Sequence, residues 1–234
     1  MQGGSGHISI GEAARYNDCM TPTAPPSHRA FVWLILIAAL AAAAGLWLGG
    51  RLSSGASAPA LDSAVLYPQP RPVREFRLDQ SSGRPLTVAD WQGHWNVVYF
   101  GYSSCPDVCP TTLATFKAAA KVLAERGLAD RVRFDFISVD PQRDTPEKLG
   151  PYVAYFNTDF IAATGTDEQL TTLTRALGIL YSRRIGSDGL VEVDHSGSAV
   201  IVDPQARVVG IFRPPLAAAA LAKDLSTLIA APGT

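Results

Sequence analysis

The sequence is poor in several residue types. Its 234 residues include three cysteines and two methionines, and 18% of them are charged, whereas about 25% is usual in globular domains. Three cysteines exclude a fold that is held together by a set of disulfides. The 20 lysines and arginines against 21 acidic residues leave a net charge of −1, so we expect no basic face for nucleic acid. The shortage of charge indicates that one part of the chain is strongly apolar.

That apolar part is residues 31–50. The run FVWLILIAALAAAAGLWL contains no charged residue, and two glycines follow it. As a helix with a rise of about 1.5 Å per residue it would span roughly 30 Å, the thickness of the hydrocarbon core of a membrane. A buried core helix and a cleaved signal peptide are the alternatives, since residues 56–58 resemble a cleavage site. The run is longer than a signal-peptide core of about 7–15 residues, so we predict an uncleaved transmembrane anchor.

The anchor divides the chain into four predicted parts. They are a short cytosolic N-terminal tail at residues 1–30, the transmembrane anchor at 31–50, a linker rich in Ser, Ala and Pro at 51–71, and one domain at 72–234. Met20 is an alternative start within the tail, which also contains Cys19. Only two cysteines therefore belong to the domain.

The positive charges on either side of the anchor predict its orientation. Arg15 and Arg29 precede it, whereas Arg51 follows it. Positive charge is retained on the cytosolic side of a membrane. We therefore expect a single-pass protein whose C-terminal domain faces the periplasm from a bacterial inner membrane, or the equivalent intermembrane space.

Residues 72–234 contain alternating strand and helix patterns. Residues 95–102 and 132–139 are apolar, β-rich runs, and residues 110–125 and 167–177 have helical periodicity. The Gly-Ser-Asp-Gly segment at 186–189 predicts a hairpin. This order predicts an α/β fold with a central mixed sheet flanked by helices.

Two cysteines stand where a predicted strand changes into a helix. Cys105 and Cys109 belong to the segment SCPDVCP, after the strand at 95–102. Free backbone N–H groups at a helix start favour the thiolate, and residues four apart in helical geometry lie about 5–6 Å apart. Such a pair suits a disulfide and equally two thiolates that share a metal ion. A permanent disulfide across so short a loop would stabilise little, so we favour a reactive or metal-binding pair.

A third ligand would complete a metal site, and the domain offers two histidines. His94 lies in a Gln-Gly-His turn and is expected to be solvated, whereas His195 lies in VDHSG before the strand at 199–202. Loops of this kind line the ligand crevices of α/β sheets. Two sulfurs and one imidazole suit copper(I) and are acceptable to zinc, for which no fourth protein ligand is evident. Cys105, Cys109 and His195 are therefore the predicted metal ligands.

The segment DPQRDTP lies between a strand and a helix. Thr145, Pro146 and Glu147 have the residue types of a helix N-cap, a first-turn proline and an acid that complements the helix dipole. Asp140 and Arg143 are not needed for capping, so we predict that they lie at the edge of the metal site.

Taken together, FGYSSCPDVCPTTL, DPQRDTP and DHSG resemble the SCO/SenC family of copper-binding cytochrome c oxidase assembly proteins, over most of residues 72–234. The resemblance implies a thioredoxin-like fold and one copper bound by Cys105, Cys109 and His195. It also implies a metallochaperone role at the copper A centre of oxidase subunit II, with other copper chaperones as further partners. The alternative within the family is a thiol–disulfide reductase that keeps the copper A cysteines reduced.

Two other classes use similar cysteine motifs. General thiol–disulfide oxidoreductases use C-x-x-C and carry a cis-proline about where Ser196 and Gly197 stand here. A peroxiredoxin-like peroxidase is suggested by Val-Cys-Pro-Thr, but that family has a threonine three residues before its reactive cysteine, where this chain has Pro106. Both classes are therefore disfavoured, and a classical enzyme is not expected.

Overall fold

The structure is a computed structural model that describes residues 28–52, 60–179, 181–185, 191–195 and 197–231. Within these ranges the side chains are described except those of residues 28, 30, 50–52, 182–185 and 191–195. Most of the predicted tail, Cys19, the turn at 186–189 and Ser196 lie outside the described residues. The chain divides into two units, residues 1–57 and 58–234.

The described part of the first unit is one helix, α1, at His28–Leu52. Within it, Phe31–Gly49 is long and apolar enough to cross a membrane. Its large apolar side chains are exposed, including Trp33 and Trp47. The helix predicted for residues 31–50 is therefore present.

The second unit consists of strands and helices in alternation. In the described residues the strands are β1 Ala64–Pro72, β2 Arg77–Gln80, β3 Pro85–Thr87, β4 Trp95–Gly101, β5 Val132–Ser138, β6 Ile161–Thr164, β7 Tyr181–Ile185, β8 Val191–His195, β9 Ala199–Val202 and β10 Arg207–Phe212. The helices are α2 Val108–Glu125, α3 Pro146–Ala154, α4 Asp167–Leu177 and α5 Ala218–Ala230.

Eight of these strands form one mixed sheet in the order β1-β10-β9-β4-β5-β6-β2-β3. The pairs β4–β5 and β5–β6 are parallel, and the other pairs are antiparallel. Helices α2 and α5 pack side by side, α3 packs against β6, and α4 packs against β2. The predicted α/β class, a central mixed sheet flanked by helices, is confirmed. The predicted hairpin is also present, because β7 pairs with β8.

The core is built around β4, in which all seven residues are buried. This explains its continuous apolar sequence, because a central strand that is covered on both faces has no solvent-facing positions. The ring of Tyr99 lies 5.9 Å from that of Phe116 on α2 and 6.3 Å from that of Phe136 on β5. These aromatic contacts fix α2 against the sheet.

The predicted linker at residues 51–71 is wrong in its second half. Strand β1 lies there and pairs with β10, with an irregular register between Leu66 and Arg71. The sequence did not predict this strand because it contains three prolines, at positions 68, 70 and 72, and proline is unfavourable in most strands. Proline is tolerated because β1 is an edge strand, with a ladder on one side only, and because Pro68 and Pro70 lie in the irregular part of its register.

One edge of the sheet gathers the segments that carry the predicted site. In the parallel pair β4–β5, Gly101 is opposite Ser138, so the loops that follow both strands leave the sheet at the same edge. Strand β9 runs antiparallel to β4 with Ala199 opposite Tyr99, so the chain enters β9 at this edge too. The cysteine segment, DPQRDTP and the segment after His195 thus meet through the sheet topology.

Candidate metal centre

The two cysteines belong to different local structures. Helix α2 begins at Val108, two residues before the predicted start, so Cys109 lies in its first turn and Cys105 in the preceding loop. The N–H of Cys105 donates to the carbonyl of Tyr102 at 3.3 Å. Both cysteines are thiols and are not joined in a disulfide; Cys105 is half-buried and Cys109 is buried. The pair therefore consists of one partly exposed and one buried cysteine.

Their environments move the two thiol pKa values in opposite directions. Burial would raise the pKa of Cys105, but the backbone N–H groups of Cys109 and Asp107 donate to its sulfur and lower the pKa overall. Burial raises the pKa of Cys109 to about 12. Cys105 is thus the thiol that ionises first, as expected for a sulfur that faces the start of a helix.

The buried sulfur of Cys109 is held closely. The Tyr99 hydroxyl donates to it at 3.7 Å, and a Cβ placed on Gly101 would lie 2.8 Å from it. The same Cβ would lie 2.9 Å from the ring of Phe136. Gly101 is therefore required for close approach of the sulfur to β4. This role was not predicted from the sequence, although a glycine at the end of a β-rich run is a known sign of close packing.

The residues of DPQRDTP surround the cysteine loop. The Arg143 guanidinium forms an ion pair with Asp140, which is buried, and lies 5.7 Å from the centre of the Tyr102 ring. Thr145 precedes α3 and Pro146 is its first residue, as predicted. A hydrogen bond with Thr145 lowers the pKa of Glu147.

Asp144 was not singled out from the sequence, but it touches the cysteine loop directly. Its carboxylate accepts hydrogen bonds from the backbone N–H and the hydroxyl of Ser103. Its position inside a capping motif gave no sign of this contact, which joins residues 41 positions apart.

The structure describes the side chain of His94 but only the backbone of His195. His195 is the last residue of β8, where it pairs with Tyr181 in the ladder, and β8 lies near β4; its side chain is outside the described part. His94 Nδ1 lies 3.0 Å from the carbonyl oxygen of Gln92, which accounts for this histidine as a turn residue. Among the described side chains, no three His, Cys, Asp or Glu residues group closely enough to hold a metal ion.

The donor set fits a soft metal ion. Two thiols stand at a helix start, one of them partly exposed and with a lowered pKa, and thiolates select copper(I) and zinc over hard cations. The described residues alone provide two of the three predicted donors.

Comparison with known proteins adds family membership. A family model described as SCO1/SenC matches residues 67–230. A putative copper-binding protein from Stutzerimonas stutzeri is 34% identical over 158 residues, which cover 67% of this chain and 77% of that protein. The structure of Arabidopsis thaliana ScoI with copper bound is 30% identical and has a TM-score of 0.62, over 67% of this chain and 96% of ScoI.

A more distant structure supports the fold alone. BsSco, described as a member of the Sco family of cytochrome c oxidase assembly proteins, is 18% identical with a TM-score of 0.56, over 69% of this chain and 95% of BsSco. The family resemblance and the thioredoxin-like fold predicted from the sequence are both confirmed. Because the SCO1/SenC model matches well over half of this chain, the chain belongs to the SCO1/SenC family.

Proposed function

We propose that this chain is a membrane-anchored copper metallochaperone for assembly of the copper A centre in subunit II of cytochrome c oxidase. Its relatives include proteins named for copper binding or solved with copper bound, and the Sco family is described as one of oxidase assembly proteins. The observation that carries the proposal is the pair of thiols at the start of α2, one of them partly exposed.

Copper is the cargo, and Cys105, Cys109 and His195 are its proposed ligands. Each thiol must lose a proton to bind, so binding releases protons and depends on pH. Cys105 is the ligand that a partner would reach, because Cys105 is partly exposed while Cys109 is buried. Transfer to a partner then begins by ligand exchange at Cys105. Oxidation of the pair to a disulfide removes both thiolates and stops binding.

Helix α1 is proposed to hold the protein in the inner membrane. Phe31–Gly49 has the length and composition of a span, and the arginines around it favour a cytosolic N-terminus. The domain then faces the periplasm, or the intermembrane space in a mitochondrion. On that side an assembling subunit II would be accessible to it.

Copper(I) titration of the reduced full chain in detergent tests the ligand set. We expect one copper per chain in the wild type, and at least a 100-fold weaker affinity in Cys105→Ser, Cys109→Ser and His195→Ala. The matched controls Cys19→Ser and His94→Ala should bind as the wild type does. Unchanged copper affinity in any of the three ligand variants would show that the ligand set is wrong.

The partly exposed thiol of Cys105, with the buried thiol of Cys109 four residues later, supports one alternative, a thiol–disulfide reductase. The Cys105 thiolate would attack a disulfide in the partner and form a mixed disulfide, releasing one partner thiolate. Cys109, after losing its proton, would then attack Cys105, forming the intramolecular disulfide and releasing the second partner thiolate. The partner gains two electrons and this chain loses two; the proton from Cys109 and the one that Cys105 lost on ionising are balanced by protonation of the two partner thiolates.

A repair assay separates the two functions. Reduced, copper-free protein is mixed with an oxidised copper A domain in the presence of a copper chelator, and the free thiols of the copper A domain are counted. The metallochaperone proposal predicts that these thiols appear no faster than in a control without the protein. It also predicts that copper-loaded protein restores the copper A centre in a domain that has been reduced beforehand. Rapid repair without copper would favour the reductase.

A further inference from the structure

We infer that Asp144 is a positioning residue for the metal site, and that it holds the loop of Cys105 in the geometry that copper needs. Asp144 is fully buried although it carries a carboxylate. A buried carboxylate must be satisfied by hydrogen bonds. The inference rests on the proposed function and adds a residue to its machinery that does not touch the metal.

The carboxylate of Asp144 joins two elements. Its Oδ2 accepts from the backbone N–H of Ser103 at 2.8 Å and from the hydroxyl of Ser138 at 2.5 Å. Its Oδ1 accepts from the hydroxyl of Ser103. Ser103 stands two residues before Cys105, and Ser138 is the last residue of β5. The side chain therefore links the cysteine loop to the sheet.

Asp144 is itself firmly held. Its N–H donates to the carbonyl of Asp140 at 2.9 Å, and the N–H of Asp140 donates to the hydroxyl of Ser138 at 3.2 Å. The carbonyl of Ser138 also accepts from the Thr164 hydroxyl at 3.1 Å. The carboxylate thus belongs to a rigid network at the end of the parallel strands.

This network matters because the two cysteines are positioned separately. Cys109 is fixed by α2 and by its burial, whereas Cys105 lies in a loop whose neighbours Ser104, Pro106 and Asp107 are exposed. The distance between the sulfurs then depends on where the loop is held. Asp144 holds it from the side of the sheet, and residues that orient ligands in this way typically change metal affinity by about 10–100-fold when replaced.

The test compares Asp144→Asn with Asp203→Asn in the full chain. Asp203 is a matched control because it is also fully buried and accepts from the N–H groups of Gln205 and Arg207 at 3.0 and 2.9 Å. It lies in the β9–β10 turn, after the opposite end of β9 from the cysteine loop. A purely structural effect should appear in both variants.

Two readouts are measured: copper(I) affinity, and the equilibrium constant for the Cys105–Cys109 disulfide in dithiothreitol buffers. We expect Asp144→Asn to bind copper 10–100-fold more weakly. We also expect it to shift the disulfide equilibrium at least threefold toward the disulfide, because it no longer stabilises the free-thiol arrangement. Ser103→Ala, which keeps the backbone hydrogen bond, should show smaller effects in the same direction.

A disulfide shift below threefold in Asp144→Asn, or an equal shift in Asp203→Asn, would overturn the inference. If the wild type binds copper and Asp144→Asn binds it equally tightly, the inference is overturned as well. If the wild type binds no copper, the proposed function fails, while the disulfide equilibrium still decides the role of Asp144. Should Asp144→Asn not fold, Ser103→Ala and Ser138→Ala carry the same comparison.

Discussion

Single residues of the same type differ here because of where the fold places them. The buried carboxylates of Asp144, Asp203 and Asp224 each accept several hydrogen bonds, whereas that of Asp135 on β5 makes none of normal geometry. The Arg133 cation and the Trp91 indole favour its ionised form, but burial outweighs them and raises the pKa of Asp135 to about 7. Asp135 is therefore a destabilising residue at neutral pH.

The sign of its effect follows from linkage. The folded protein binds the Asp135 proton more tightly than the unfolded chain, whose carboxyl has a pKa of 3.8, so stability falls as pH rises from about 4 to about 7. We expect Asp135→Asn to raise the free energy of unfolding at pH 8 by about 2–4 kcal/mol and at pH 4 by much less. Urea unfolding at both pH values measures this. Equal gains at the two pH values would contradict it.

At the scale of elements, the start of the domain is held by α5. The Asp224 carboxylate accepts from the backbone N–H groups of Asp62, Ser63 and Ala64, each at 2.8 Å. These bonds lower the pKa of Asp224, although burial opposes the shift. They direct the chain into β1, which explains how a proline-rich edge strand keeps its place beside β10.

Removing this carboxylate should destabilise the domain and free β1. We expect Asp224→Ala to lower the free energy of unfolding by about 2–4 kcal/mol, because three backbone donors lose a charged acceptor. Lys223→Ala is the control, since it removes only an exposed ion pair with Asp62 and should cost less than about 1 kcal/mol. Hydrogen exchange at residues 62–64 should increase in the first variant alone. The stabilisation should also disappear in the wild type as pH falls through the lowered pKa of Asp224. Equal losses in both variants would be inconsistent with this role.

Elements differ in how far their sequences predict them. Helix α4 has the predicted bounds, because both ends carry local signals: Thr166 and Gln169 form a capping box, and Gly178 adopts a left-handed conformation. Helix α2 starts two residues early, and β1 was not predicted at all. Neither has a strong local signal, and β1 exists only because β10 and Asp224 bind it.

At the scale of the whole molecule, two features combine: an N-terminal apolar helix, and a domain that gathers its site at one edge of the sheet. Phe31–Gly49 contains no charged residue, and the cysteine loop follows β4, all of whose residues are buried. The proposed function needs both, because the site must be fixed within the domain while the domain is kept at the membrane.

A charge placed in the middle of α1 tests the proposed span. Leu40 is near its centre, and arginine there costs about 2.5–3.5 kcal/mol in insertion. We expect Leu40→Arg to move a large fraction of the protein out of the membrane pellet after an alkaline wash. Leu40→Ala should stay in the pellet. Retention of Leu40→Arg equal to that of Leu40→Ala would argue against a transmembrane helix.

The sequence by itself determined what depends on neighbours within a few residues. This includes the apolar helix, the alternation of strands and helices, the ends of α4 and the pairing of Cys105 with Cys109 four residues later. Tertiary structure decided the rest, because it depends on which distant segments the sheet brings together. Ser103 meets Asp144 across 41 residues and Ala64 meets Asp224 across 160. The packing of Cys109 against β4, which no local pattern encodes, buries one thiol of the pair. The thiol of Cys105 stays partly exposed and can react.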